Sequence, residues 1–370
     1  MNPKILCLSS GGSKGLAHLG VLAYMDYHKH LDQIETYVGC SIGSLICLLL
    51  NCGYKPAELA EYFLEFKLDY QMGLSNIIDD YGFYDMKQMN EKISTMIKNK
   101  LGFIPTLKQL HDLTQKRLII STYNIDKMEN YYFDYFTEPN CLVVDAVCIS
   151  MSIPIFFKAW EYKGYRFVDG AVGDPFSIDL LNDGKTPILG VVLYSDKKPV
   201  QSFINFISKL SEGNNKEYVK MKLKDLKKNC EIVELECIDP DFFNVNYEER
   251  MNVYAQGYRA AQKVKFDFCK EDNEIIQKIN EICSPPLLSV LGDLIEKKTD
   301  LVMESFKNMP YYQMISLCKI SDMFLEIKRL KARENVVQVK NTIYHHLHRI
   351  MSIIIPKHFW SRIPLIREKI

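Results

Sequence analysis

The chain has 370 residues, of which 47% are hydrophobic and 25% charged. That composition excludes a disordered or collagen-like chain and supplies enough apolar mass for a large core in one or two domains. Lysine and arginine balance aspartate and glutamate, 46 against 46, so no net charge marks the chain as a nucleic-acid binder.

The opening alternates strand and helix. Lys4 to Ser9 is predicted as a short apolar strand, followed by the glycine-rich loop Ser10-Gly11-Gly12-Ser13-Lys14-Gly15. Leu16 to Tyr27 carries Leu16, Leu19, Ala23 and Met25 at helical spacing. Ile34 to Val38 reads as a second strand ending at Gly39. After Gly39-Cys40-Ser41-Ile42-Gly43, the segment from Ser44 to Leu50 is apolar almost all round, the mark of a buried helix. Gly53 is well placed to end it. Strands and helices alternating this closely predict an α/β domain with a parallel sheet covered on both faces.

Further along, Pro56 to Leu113 reads as helical with short breaks. Lys116–Asn124 and Tyr131–Phe136 read as a hairpin or as adjacent strands. An apolar strand at Tyr165–Val168 ends in Asp169-Gly170, and Ile188–Tyr194 and Ile232–Leu235 are two more strands. Lys216, Lys220, Lys224 and Lys228 form a basic helical stripe, either a solvated face or a contact for anionic lipid. Tyr247–Phe268 is amphipathic and is expected to pack on the sheet. Beyond about residue 270 strand signals stop, and Pro285-Pro286 opens an expected C-terminal helical region, residues 285–370. Its end mixes Ile353–Ile355 with Lys357, Phe359, Trp360, Arg362, Arg367 and Lys369. That mixture suits either a helix packed on its own domain or a membrane surface. His345, His346 and His348 have no acidic or cysteine partner nearby, so no metal site is expected there.

No apolar run reaches the ~18 residues that span a bilayer, and Ile5–Leu8 is shorter than the roughly 7–15 residues of a signal-peptide core. The eleven cysteines are odd in number and contain no C-x-x-C pair, which favours reduced thiols over a disulfide framework. The expected setting is therefore cytoplasmic, with peripheral contact to membranes compatible.

Two features carry chemistry. Gly39-x-Ser41-x-Gly43 lies at a strand-to-helix junction, where a sharp turn exposes a nucleophile and the following helix points its N–H groups at it. The Gly11-Gly12-x-Lys14-Gly15 loop also precedes a helix and is suited to hold an anion, either a phosphate or the oxyanion of acyl transfer. It lacks the G-x-x-x-x-G-K-[S/T] spacing, and Ser10 breaks the G-x-G-x-x-G pattern, so a nucleotide site is the weaker reading.

A serine nucleophile needs a proton acceptor. Past residue 111 histidines occur only in the C-terminal segment, and His18 in the first helix is expected to pack or cap. A carboxylate remains: Asp169, at the end of its strand, with Asp174 as the rival base.

These residues resemble the patatin-like phospholipases. That family combines a Gly-rich oxyanion loop near the N-terminus, a G-x-S-x-G elbow one unit later, and a distant Asp-Gly-Gly/Ala. Here the three are Gly11-Gly12-Ser13-Lys14-Gly15, Gly39–Gly43 and Asp169-Gly170-Ala171. Ala146 to Phe157 resembles the family's A-S-x-A-x-P-x-x-F segment. The likeness covers roughly residues 4 to 200, on the size scale of a domain. Ser10 replaces the loop's first glycine, and Asp174 stands where the family usually has Asn, adding a carboxylate that would raise one pKa of the pair.

The resemblance implies a three-layer α/β/α fold with a mostly parallel central sheet, over a domain of residues 1–270. It further implies a lipid acyl hydrolase of phospholipase A type. Ser41 would be the nucleophile and Asp169 the base, with the N–H groups of Gly11, Gly12 and Ser13 as oxyanion hole. Lys14, Gly15, Gly39, Gly43, Gly170 and Ala171 would support the motifs, with Lys14 at a headgroup or on the surface. No metal or other cofactor is called for, and the partner would be a phospholipid or other acyl-ester lipid, not nucleic acid. The alternative is a catalytically silent lipid-binding protein on the same fold.

Overall fold

The first strand, β1 (Ile5–Leu8), is buried at all four residues, as a strand covered on both faces must be. It lies between two parallel neighbours, β2 (Thr36–Cys40) and β9 (Ile188–Ser195), and β9 pairs in parallel with β10 (Cys230–Cys237). On its far side β2 runs parallel to β4 (Arg117–Asn124). Antiparallel strands complete the sheet: β5 (Glu129–Phe133) and β8 (Tyr165–Asp169) on β4, and β7 (Trp160–Tyr162) on β8. The order is β10-β9-β1-β2-β4-β8-β7, with β5 also on β4. This computed structural model describes residues 2–66, 82–195, 203–238 and 247–263, all within a unit that runs from Met1 to Lys265.

Both faces of the sheet are covered. On one, Ile5, Cys7, Val38, Ile119 and Ile188 pack with Phe176 and with Val219 of helix α7 (Phe203–Lys224). On the other lie α1 (Gly15–Tyr27) and α2 (Ile42–Asn51). The fold is thus a three-layer α/β/α arrangement around a mostly parallel sheet. Helix α2 is the buried helix its composition predicts. Leu45, Ile46, Leu48 and Leu49 are all enclosed, each contributing about 1.5–3 kcal/mol of apolar burial. Around this core stand α3 (Pro56–Glu65), α4 (Lys87–Leu101), α5 (Leu107–Thr114) and α6 (Val143–Ser150).

Three expectations change. Gly82–Tyr84, inside the stretch read as helical, is a strand, β3, that pairs in parallel with β6 (Ile155–Phe157). The amphipathic helix α8 (Tyr247–Lys263) packs chiefly against α1. A Cβ on Gly20 would fall 2.0 Å from the Tyr254 carbonyl oxygen, and one on Gly257 2.0 Å from that of Ala17. Backbones this close exclude any side chain at the crossing, so the face read as sheet-facing is a helix–helix contact. Third, the lysine stripe is partly neutralised: Lys216 pairs with Glu236 and Lys220 with Glu217, while Lys228 lies past the end of α7. The region 285–370, with its histidines and its basic-aromatic end, lies outside the described residues. Among the described residues no helix is long and apolar enough to cross a membrane.

The pairing that matters for the site is at β4. Strand β5 occupies one edge of β4 over residues 120–124, which leaves β2 and β8 to share the other. Strand β2 ends there with Cys40 opposite Ser121, and β8 arrives from the opposite direction with Asp169 opposite Thr122. The C-terminal ends of the two strands meet head to head.

Candidate active site

The turn after β2 is held in a conformation few residues adopt. Ser41 has φ 54° and ψ −126°, a geometry that costs about 1–3 kcal/mol for a residue with a side chain. Its neighbours explain how the turn closes. A Cβ on Gly39 would lie 2.5 Å from Ser44 Cα, and one on Gly43 2.5 Å from the Ser9 carbonyl oxygen. The bare backbones let α2 start directly on top of β1 and β2. The Ser41 N–H donates to Ser150 Oγ at 2.9 Å, and that hydroxyl donates to the Ser121 carbonyl at 2.6 Å. The Ser41 carbonyl accepts from Ser44 through both its N–H and its Oγ. Its backbone is thus pinned on both sides, which offsets the strain.

Although Ser41 stands at the N-cap of α2, its side chain makes no capping hydrogen bond. The hydroxyl instead donates to Asp169 Oδ2 at 2.6 Å. The other carboxylate oxygen, Oδ1, accepts the Ala171 N–H at 2.8 Å and faces the Cys40 thiol at 3.9 Å. Asp169 is 2% exposed and Ser41 3%. Burial penalises the carboxylate charge more than these bonds favour it, and the Asp169 pKa is pushed up to about 7. Such a group titrates near neutral pH, where a general base is most effective. Gly170 lets the chain leave Asp169 tightly, because a Cβ there would fall 2.4 Å from the Ser121 carbonyl oxygen.

The rival carboxylate is differently occupied. Asp174 Oδ1 pairs with Lys222 Nζ at 2.7 Å, and Oδ2 accepts from the Tyr132 hydroxyl at 2.8 Å. The expected mutual perturbation of the two aspartates is replaced by a simpler cause, since desolvation leads the Asp169 shift. His18 is buried, and its Nε2 donates to the Ser9 carbonyl at 2.9 Å in the tautomer this contact requires. Burial draws its pKa down to about 4, so the ring is neutral at pH 7.

The glycine loop lies beside the elbow. Gly12 is left-handed at φ 53°, and a Cβ on Gly15 would fall 2.4 Å from Ile42 Cγ1, next to Ser41. Gly11 approaches both Leu193 and Ile42, while Ser13 lies in the short turn Gly12–Lys14. Ser10 has its backbone committed: its N–H donates to the Pro175 carbonyl, and its own carbonyl accepts from Ser9 Oγ. Lys14 departs from the expectation of a headgroup or surface role. It is 2% exposed and donates to Ser195 Oγ at 2.9 Å, so it ties the loop to the end of β9. A lysine's long apolar stem can be buried while its ammonium reaches a polar partner.

Residues 6–182 match the family model for patatin-like phospholipase. Over this stretch the chain carries a patatin-like phospholipase domain. The chain is 29% identical over 183 residues to "Probable lipid hydrolase 463L" of Invertebrate iridescent virus 6, covering 48% of this chain and 62% of that protein. To "Patatin-like phospholipase domain-containing protein 4" of Homo sapiens it is 25% identical over 187 residues, 49% of this chain and 68% of the human protein. Among solved structures, VipD from Legionella pneumophila aligns with a TM-score of 0.46 at 14% identity, over 95% of this chain and 85% of that one. The match to the viral protein thus spans less than two thirds of its length.

Sequence reasoning passed over three polar residues around the site, two of them beyond the matched stretch. Ser150, which holds the Ser41 N–H, was visible only as part of the Ala146–Phe157 segment. Asn215 donates to the Ala171 carbonyl at 2.9 Å, and Lys222 pairs with Asp174. Their signal was positional: seven residues apart, they share one face of α7, and Lys222 stands half a turn off the lysine stripe.

Proposed function

We propose that the protein is a lipid acyl hydrolase of phospholipase A type, working through a Ser41–Asp169 dyad in a domain of residues 1–270. The observation that carries this reading is the buried 2.6 Å hydrogen bond from Ser41 Oγ to Asp169 Oδ2. The patatin-like phospholipase match over residues 6–182 and the name of the viral relative support a lipid ester as substrate.

Asp169 takes the hydroxyl proton as Ser41 Oγ attacks the ester carbonyl. The charge that develops on the carbonyl oxygen is stabilised by N–H groups of Gly11, Gly12 and Ser13, an arrangement in which each donor is typically worth about 10²–10³ in rate. Collapse of the tetrahedral intermediate breaks the C–O bond to the lipid alcohol, which leaves with the proton from Asp169. Asp169 then takes a proton from water, whose oxygen attacks the acyl-serine. The fatty acid departs and Ser41 regains its hydrogen. A carboxylate with a pKa near 7 is suited to both halves, because it accepts and returns a proton at little cost.

Incubation with a fluorophosphonate probe followed by peptide mapping tests the reading. Labelling at Ser41, lost in Asp169→Asn, is the expected result. Saturable binding to phospholipid vesicles without any labelling would sink the dyad and favour a catalytically silent lipid binder.

A further inference from the structure

Among its described side chains helix α7 has no hydrogen bond to Ser41 or Asp169, yet it holds the segment behind them at several points. Lys222 Nζ reaches three acceptors: Asp174 Oδ1 at 2.7 Å, Asp179 Oδ1 at 2.6 Å and the Phe176 carbonyl at 3.3 Å. An ammonium has three hydrogens, so this set uses all of them. Two helical turns earlier, Asn215 Nδ2 donates to the Ala171 carbonyl.

The gripped segment joins the two halves of the site. At one end the Gly173 and Asp174 N–H groups donate to the Gly170 carbonyl, which closes the turn carrying Asp169. The Asp174 carbonyl accepts from Ser121 Oγ, on the strand where β2 and β8 meet. At the other end the Pro175 carbonyl accepts the Ser10 N–H at 2.9 Å and so holds the start of the glycine loop. Lys222 takes Asp174 and Phe176, the residues on either side of Pro175.

We propose that Lys222 is a positioning residue that sets the distance between the Asp169 turn and the glycine loop by fixing Pro175 from both sides. This inference rests on the hydrolase reading above. It assigns the Asp174 departure a purpose: where an uncharged side chain would only bond locally, a buried carboxylate recruits a cation from α7. Displacement of reacting groups by about 1 Å costs on the order of a hundredfold in rate. The grip therefore acts on kcat and leaves ester binding largely alone.

The test uses the full chain, a chromogenic acyl ester, and thermal melting. Lys222→Met is expected to lower kcat by about tenfold to a hundredfold with KM within about twofold. It also lowers the melting midpoint, because Asp174 is left buried without its cation. The double variant Asp174→Asn, Lys222→Met removes that buried charge and is expected to regain most of the midpoint. Its kcat stays low, because the Phe176 carbonyl has still lost its donor. Lys222→Arg, which keeps a cation and several donors, should recover kcat toward wild type. A merely structural Lys222 predicts instead that kcat returns in step with the midpoint in the double variant. That outcome, or a wild-type kcat in Lys222→Met, would overturn the proposal. If Lys222→Met does not fold, the double variant decides alone. Absence of fluorophosphonate labelling at Ser41 in the wild type would bring down the hydrolase reading, and this inference with it.

Discussion

Asp169 and Asp174 lie five residues apart on the two sides of one short turn, and both are buried. One faces the strained elbow after β2, where among the described residues it meets a hydroxyl, a backbone N–H and a thiol but no cation. The other faces α7, where Lys222 and a tyrosine hydroxyl surround it. Burial without a cation leaves the first carboxylate ready to take a proton, whereas the ion pair commits the second to anchoring. The difference lies in the neighbours, not in the residue type, and in the proposed mechanism it separates the base from a structural anchor.

The comparison breaks most sharply on activity. Ser41→Ala and Asp169→Asn are each expected to lower ester hydrolysis by about 10⁴-fold while the protein stays folded. Asp174→Asn is expected to lower it by no more than about tenfold, since its amide oxygen still accepts a hydrogen bond. Steady-state assays of the three variants side by side check this. Equal losses at both aspartates would erase the distinction.

The elbow itself is the next largest effect. Gly43→Ala places a Cβ against the Ser9 carbonyl, so the start of α2 must shift. A destabilisation of about 3 kcal/mol or more is expected in urea unfolding. A fully native melt would contradict the close approach described here.

The raised pKa of Asp169 gives a third handle. Its carboxyl titrates near 4 when unfolded and at about 7 when folded. Between these values the folded state binds the extra proton, so this carboxyl's own contribution to stability is complete below about pH 4 and is lost as pH rises to 7. The loss is on the order of a few kcal/mol, and Asp169→Asn should flatten this part of the stability profile. Over the same range kcat/KM should climb toward a plateau above pH 7, because only the ionised carboxylate accepts the serine proton. A rate that falls across that interval would point to a base other than Asp169.

The smallest effect concerns His18. A ring whose Nε2 already serves the Ser9 carbonyl has no part in proton transfer, so His18→Gln should keep activity within about threefold. A loss approaching that of Asp169→Asn would restore histidine as a candidate base.

Much of this was legible in advance because it is local. The elbow glycines, the glycine loop and the buried helix after Ser41 are written in adjacent residues, and spacing alone located them. The strand at Tyr165–Asp169 was legible for the same reason. Lys14 was misplaced because a lysine in a polar loop gives no sign of a partner 181 residues away in Ser195. The strand Gly82–Tyr84 was missed because three residues carry too little periodicity, and it exists only by pairing with Ile155–Phe157.

The amino-acid sequence by itself determined the βα units, the tight turn that bears Ser41 and the carboxylates that stand as its candidate partners. These are set by hydrophobic period, by glycine's steric freedom and by helix composition, which act over a few residues. Tertiary structure alone decided which carboxylate touches the hydroxyl and which is bound to a lysine. That choice depends on β2 and β8 meeting on one edge of β4 and on α7 lying behind the turn. Such long-range pairings depend on the packing of the whole domain, which local pattern does not encode.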